Sequence, residues 1–347
     1  MIDLSIEFLM YTIVVALFLL GSILSYLGSK SIQLVHKNKK IEEYVTIQQD
    51  QWYDVLLNKS PFSVTLIPKR TNEIEAVERI LLSYIHHISD QQIIERIERF
   101  SNQYLFKHYQ SLLKVSNWST RMNALYRVID FRIDRLLADC IQLEDQKKVS
   151  KDEYFLLLII YSLFDKQRFI EKVLSNELNF SVYQYKKLFT SIEETVLTEI
   201  RHHYFAELED NGKYALIDII AFKRNWNDLI WLESQLQQAE PEIRIRSLKA
   251  MNEIGILGES QSYLRFVDSK IWQERLMVAK LLQYLPFEEA MPYLNQLIQD
   301  ESFVVRAQAA ETFSKSEDGR NYLAEVDARL KDPYAIDIAR EYMLKGS

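Results

Sequence analysis

The chain has 347 residues, a formal net charge of −7, 7 glycines, 6 prolines and one cysteine. The single Cys140 excludes an internal disulfide framework and any multi-cysteine metal site. The acidic balance is a poor footprint for nucleic acid, which needs concentrated positive charge, and scarce glycine and proline beside 48% apolar residues favour an all-α protein.

Phe8 to Leu27 form an uncharged run of 20 residues, FLMYTIVVALFLLGSILSYL. At 1.5 Å per residue it spans about 30 Å, the hydrocarbon thickness of a bilayer. It predicts one transmembrane helix in an anchor of residues 1–29. Asp3 and Glu7 precede the run, whereas Lys30, Lys37, Lys39 and Lys40 follow it before the first acid, Glu42. This asymmetry predicts an outside N-terminus and a cytoplasmic body. A cleaved signal peptide fits badly, because no lysine or arginine precedes the run and no A-x-A-like site ends it. The four lysines are expected at anionic lipid head groups, at about 1 kcal/mol each. Gly21, Ser25 and Ser29 share one helical face, a spacing that lets two membrane helices approach and form a homodimer.

Residues 30–70 read as a basic juxtamembrane segment and connector. Within them Pro61–Pro68, β-branched and bracketed by prolines, predicts extended chain. Residues 71–225 read as successive divergent helices. One follows Thr71, another follows Ser89-Asp90, and a third spans Met122, Leu125, Ile129, Ile133, Leu136 and Cys140. Trp118 reads as a packed aromatic at a helix start rather than a ligand-stacking ring. Tyr154–Phe164 is apolar all round and too short to span a bilayer, which predicts a buried helix.

Residues 226–347 carry a repeat. Arg244, Arg275 and Arg306 recur at a spacing of 31 residues. In step with them run Ser247, Val278 and Ala309; Leu248, Ala279 and Ala310; and Met251, Leu282 and Phe313. Upstream, Leu232, Tyr263 and Leu294 keep the beat, as do Leu236, Val267 and Ile298. Apolar residues three, four and seven positions after each arginine lie on one helical face. A fixed period of this size signals stacked helical units, none of which buries its apolar face alone.

The segments Ala239–Gly255 and Asp300–Phe313 resemble HEAT repeats, in the short form of phycobilisome-lyase-like HEAT proteins. The middle unit departs from the pattern, with Glu274 in an apolar position, and a fourth partial unit at Asp332-Pro333 has Asp337 in place of the arginine. The segment from Trp118 to Tyr126 is similar to the arginine-bearing helix. The resemblance implies a right-handed α-solenoid in which Arg244, Arg275 and Arg306 hold neighbouring repeats together through acidic residues at turns. The competing reading is a basic ladder that binds an anionic partner.

Little else points to chemistry. His86-His87 and His202-His203 are adjacent pairs whose members point about 100° apart on a helix. Glu199, His203 and Glu207 share a face, which solvated charge explains as well as a metal does. Some HEAT-like enzymes hold iron with repeated His-Glu pairs, but residues 226–347 contain no histidine. No nucleotide-binding, nucleophile or zinc motif is present. The reading is therefore a non-enzyme without cofactor: a membrane-anchored cytoplasmic scaffold or adaptor that binds a protein partner, as an accessory subunit of a bacterial membrane complex would. A ligand-binding sensor at the membrane is the alternative, and a helical-repeat enzyme the third.

A reporter fused after Ser347 should be active in the cytoplasm, and replacing Lys30, Lys37, Lys39 and Lys40 together should weaken that orientation. External protease that cleaves the body in intact cells would reverse the assignment.

Overall fold

A computed structural model describes residues 6–88, 90–145, 149–175, 179–255, 261–325 and 332–345, so Asp3 and Ser89 lie outside the described residues. Among the described residues every regular element is helical. The chain divides into two compact units, Met1–Phe164 and Asp165–Ser347.

In the first unit one helix, α1 (Ile6–Leu56), carries two different surfaces. Its side chains from Met10 to Leu27 face outward, with Phe18 75% exposed. That stretch is long and apolar enough to cross a membrane. Further along, Ile41, Trp52 and Leu56 are at most 1% exposed. Half-buried Tyr44, Val45, Gln48 and Val55 continue their stripe at helical spacing. The stripe packs on α2 (Thr71–His87) and α3 (Gln91–Phe100). Polar clamps fix it: Arg79 Nη1 donates to Glu42 at 2.6 Å, and Lys37 pairs with Glu75.

Residues 30–70 therefore do not form a free spacer. The Pro61–Pro68 segment contains a 3₁₀ turn, Val64–Leu66, started by the Ser63 hydroxyl and anchored by fully buried Leu66. Asp90 caps α3 by accepting from the Gln92 amide. A π-helical turn, Ser101–Leu105, joins α3 to α4 (Phe106–Leu113). The predicted third helix is two. α5 (Trp118–Asp130) stops before Arg132, whose φ of 48° is left-handed, and α6 (Leu137–Glu144) begins after a 3₁₀ turn. Ile133, Leu136 and Cys140 are still buried. The unit closes with α7 (Lys151–Phe164), in which Leu156 to Ser162 are all buried.

The second unit starts with α8 (Lys166–Leu174), α9 (Val182–Thr190) and α10 (Glu194–Glu199), followed by a second π turn, Ile200–Tyr204. Then come α11 (Asp210–Lys223), α12 (Leu229–Gln235), α13 (Pro241–Ile254) and α14 (Gln261–Leu264). The chain goes on through α15 (Trp272–Leu281), α16 (Phe287–Leu297), α17 (Phe303–Ser314), α18 (Glu317–Ala324) and α19 (Pro333–Lys345). Helices α9, α11, α13, α15, α17 and α19 pack each on the next, and α12, α16 and α18 lean against this row. The positions that keep the 31-residue beat explain the packing. From Leu232, Tyr263 and Leu294 to Met251, Leu282 and Phe313, all are 2% exposed or less. Thr312 Oγ1 ties α17 to α15 by donating to the Ala279 carbonyl at 2.8 Å.

Trp52→Ala should cost about 3–5 kcal/mol, because it empties a packed site, whereas Phe18→Ala on the same helix should leave denaturant unfolding of the detergent-solubilised chain unchanged. Equal unfolding midpoints for both variants would detach the second half of α1 from the folded unit.

Candidate functional site

The repeated arginines occupy the fourth residue of α13, α15 and α17, and Arg121 has the same place in α5. Each guanidinium folds back over the turn that precedes its own helix. Arg244 Nη1 donates to the Gln238 and Ala239 carbonyls at 2.8 and 2.6 Å. Arg275 Nη1 reaches the Ser269 carbonyl at 2.6 Å, and Arg306 Nη1 those of Asp300 and Glu301 at 2.7 and 3.1 Å. Arg121 does the same with Val115 and Ser116. Those carbonyls lie where helical pairing has not yet begun, so a side-chain donor satisfies them.

The other edge of the fork reaches the following unit. Arg244 Nε donates to Glu274 at 2.7 Å, and Arg121 Nε to Glu153 at 2.6 Å. Arg275 grips Asp300 with both Nε and Nη2, at 2.5 and 2.9 Å, and touches Glu301 at 3.1 Å. Arg275 and Asp300 are 8% and 7% exposed. Glu274, the departure from the apolar pattern, is thus the buried partner of Arg244. Ser269 Oγ donates to its second oxygen. The series ends at Arg306. Its Nε is buried without a hydrogen-bond partner, and its guanidinium lies 5.6 Å from the Tyr334 ring centroid. These arginines are engaged within the chain rather than presented as a cationic surface.

Burial alone would raise the pKa of Glu153, but hydrogen bonds from Arg121 and from the Ser150 amide and hydroxyl outweigh it and hold the carboxyl below its ordinary range. Trp118, at the start of α5, is half exposed and donates its indole N–H to Ser150 Oγ at 2.9 Å. Of the predicted membrane-surface lysines, Lys30, Lys39 and Lys40 are exposed, while half-buried Lys37 is held by Glu75. Lys30 also sits 5.5 Å from the Tyr26 ring centroid. Gly21, Ser25 and Ser29 lie along a shallow exposed groove of α1.

The histidines stay apart from any metal-like arrangement. Glu199 pairs with Lys166, and among the described residues no group of three His, Cys, Asp or Glu side chains is placed to hold a metal. Cys140 is buried in α6, and desolvation pushes its thiol up to about 12. What sequence reading missed is a second series in the 31-residue register. Trp272 and Phe303 open α15 and α17, and Tyr334 is the second residue of α19. They are 41%, 61% and 69% exposed, where the other register positions are buried. The arginine contacts bring the starts of these helices together, so the three rings follow one edge. The signal was present, as aromatic residues three before Arg275 and Arg306.

No protein-family model matches the chain, and no curated protein matches it.

Arg275→Ala strands buried Asp300 and should cost about 3–5 kcal/mol. Arg306→Ala, which leaves no carboxylate behind, should cost less, and chemical denaturation compares the two directly. Because folding depresses the Glu153 pKa, its contribution is complete above the unfolded value of about 4.3 and is lost as pH falls through the lower folded value. Glu153→Gln should therefore flatten the loss of stability below about pH 4. An unchanged acid limb would remove Glu153 from that account.

Proposed function

We propose that the chain is a single-pass membrane protein whose cytoplasmic body, built as a HEAT-like right-handed solenoid, is a docking platform for an integral membrane partner. The observation that carries this reading is the exposed series Trp272, Phe303 and Tyr334. A packed row of helices has no folding reason to repeat a large exposed ring at three successive steps. At an interaxial distance of 8–10 Å, three rings cover about 20 Å. Tryptophan and tyrosine are the usual anchors of protein interfaces, and extended rows of repeats serve commonly as binding surfaces.

Charge selects the partner. Residues 226–347 hold 14 Lys+Arg against 20 Asp+Glu, and Glu301, beside Phe303, has an 84% exposed side chain. An apolar segment carrying lysine or arginine fits such an edge, with cation–π contact to the rings. Cytoplasmic loops of membrane proteins have that composition. A chain tethered by α1 would meet such loops at raised effective concentration, which lets a modest interface suffice.

A photoreactive amino acid at position 303 should cross-link, in intact membranes, to a Lys/Arg-rich loop of one integral membrane protein. Trp272→Ala combined with a second cross-linking position at 304 should reduce the yield at least tenfold while thermal stability stays near the parent's, as is usual for surface changes. Cross-links spread over unrelated soluble proteins would count against the docking edge.

A further inference from the structure

A separate hollow lies in the first unit, between the end of α1, the turn after it and the π turn that joins α3 to α4. Its volume is about 430 Å³, within the range of small-molecule sites. Trp52, Phe62, Phe100 and Tyr104 line it together with Arg96 and Arg99. Phe62 and Tyr104 stack at 5.6 Å with 16° between their planes, and Trp52 meets Phe100 edge-on at 4.8 Å.

Its charge is unlike that of the rest of the chain. The similar-sized hollow between α2, α4 and α5 contains Arg79 and Arg127, but Glu75 and Glu78 line it too, and Arg79 pairs with Glu42 and Arg127 with Glu78 and Asp130. The hollow at α11 and α13 likewise sets Asp218 and Glu253 against its cations. Around Trp52 the lining has two arginines and no acid. Arg96 spends one N–H on the Leu56 carbonyl, and Arg99 spends its Nε on the Glu95 carbonyl at 3.3 Å. Among the described residues neither makes an ion pair with a carboxylate, and the acid whose field Arg99 feels, Glu98, lies outside the lining.

Two more features point the same way. The indole Nε1 of Trp52, a lining residue, is buried without a hydrogen-bond partner. Buried donors are almost always satisfied, and an unsatisfied one calls for an explanation such as a bound group. Single π turns inside α-helices recur at functional sites, and here the turn supplies Gln103 and Tyr104 to the lining.

We infer that this hollow binds a small aromatic anion, a planar ring bearing a carboxylate or a phosphate. The acid group meets Arg99 and Arg96, and the ring lies against the exposed part of Phe62. A guanidinium fork matches either acid, and aromatic rings favour offset stacking on a flat partner. The site stands apart from the docking edge and does not depend on it.

The test uses the full chain in detergent with four probes: phenyl phosphate, benzoate, inorganic phosphate and benzyl alcohol. Ligand-observed NMR titration should show saturable binding of phenyl phosphate, benzoate or both, with the stronger of the two identifying the acid. The ringless and uncharged probes should bind at least tenfold more weakly. Arg99→Gln, at an exposed position, should weaken the aromatic anion at least tenfold, and Phe62→Ala should weaken it too. Arg224→Gln, an exposed cation of the second unit, should change nothing. If Phe62→Ala lowers the melting temperature, the Arg99 variant decides alone. No saturable aromatic-anion binding, or binding that ignores Arg99→Gln, overturns the assignment.

Discussion

A guanidinium satisfied on both edges is the interaction on which the second unit depends. Arg275 shows the full form. One edge closes the carbonyl end of its own turn and the other holds Asp300 in the next. Lysine could not do both, because its three donors radiate from a single nitrogen, while arginine spreads five across a rigid plane. The carboxylates also sit well. Glu274 belongs to the first turn of α15 and Asp300 to the turn before α17, near the positive ends of those helix dipoles. Arg244 and Arg275 thus each fix the spacing between two helix starts, and the apolar residues of the same register then meet at packing distance.

The first unit reaches the same end by other means. Its first long helix supplies the apolar stripe Ile41, Trp52 and Leu56 that α2 and α3 require, so the folded part begins well inside the helix that carries the apolar run. Within the unit Arg121 and Glu153 repeat the arginine–carboxylate clamp between α5 and α7. Tyr109 donates to Glu78 across α4 and α2. Burial and the neighbouring carboxylate raise the pKa of that phenol, so it remains a donor.

Much of this was legible in the residues. The period set by Arg244, Arg275 and Arg306 located helices whose register positions proved buried, and Tyr154–Phe164 was recognisable as an inner helix. The partners of the arginines were harder to read. Glu274 occupies a position that patterning assigns to an apolar side chain, and only a neighbour 30 residues away explains it. No clean period carries through residues 71–225, and two structural causes are visible. The π turns at Ser101–Leu105 and Ile200–Tyr204 shift the helical phase, and the left-handed Arg132 ends a helix without glycine or proline. The exposure of Trp272, Phe303 and Tyr334 is not legible in the sequence, because hydrophobic patterning assigns large apolar residues to the core.

The unbroken course of α1 has a mechanical consequence. Ile41, the first buried residue of the stripe, lies 14 residues beyond Leu27 along the same helix, about 21 Å at the α-helical rise. Were the apolar run to cross a bilayer, as proposed above, this part of the helix would act as a stiff mast. It would set the height of the first unit and also its compass bearing about the mast axis. One residue added between them would lift that unit by about 1.5 Å and turn it by about 100°. Such a support tolerates changes of residue far better than changes of length.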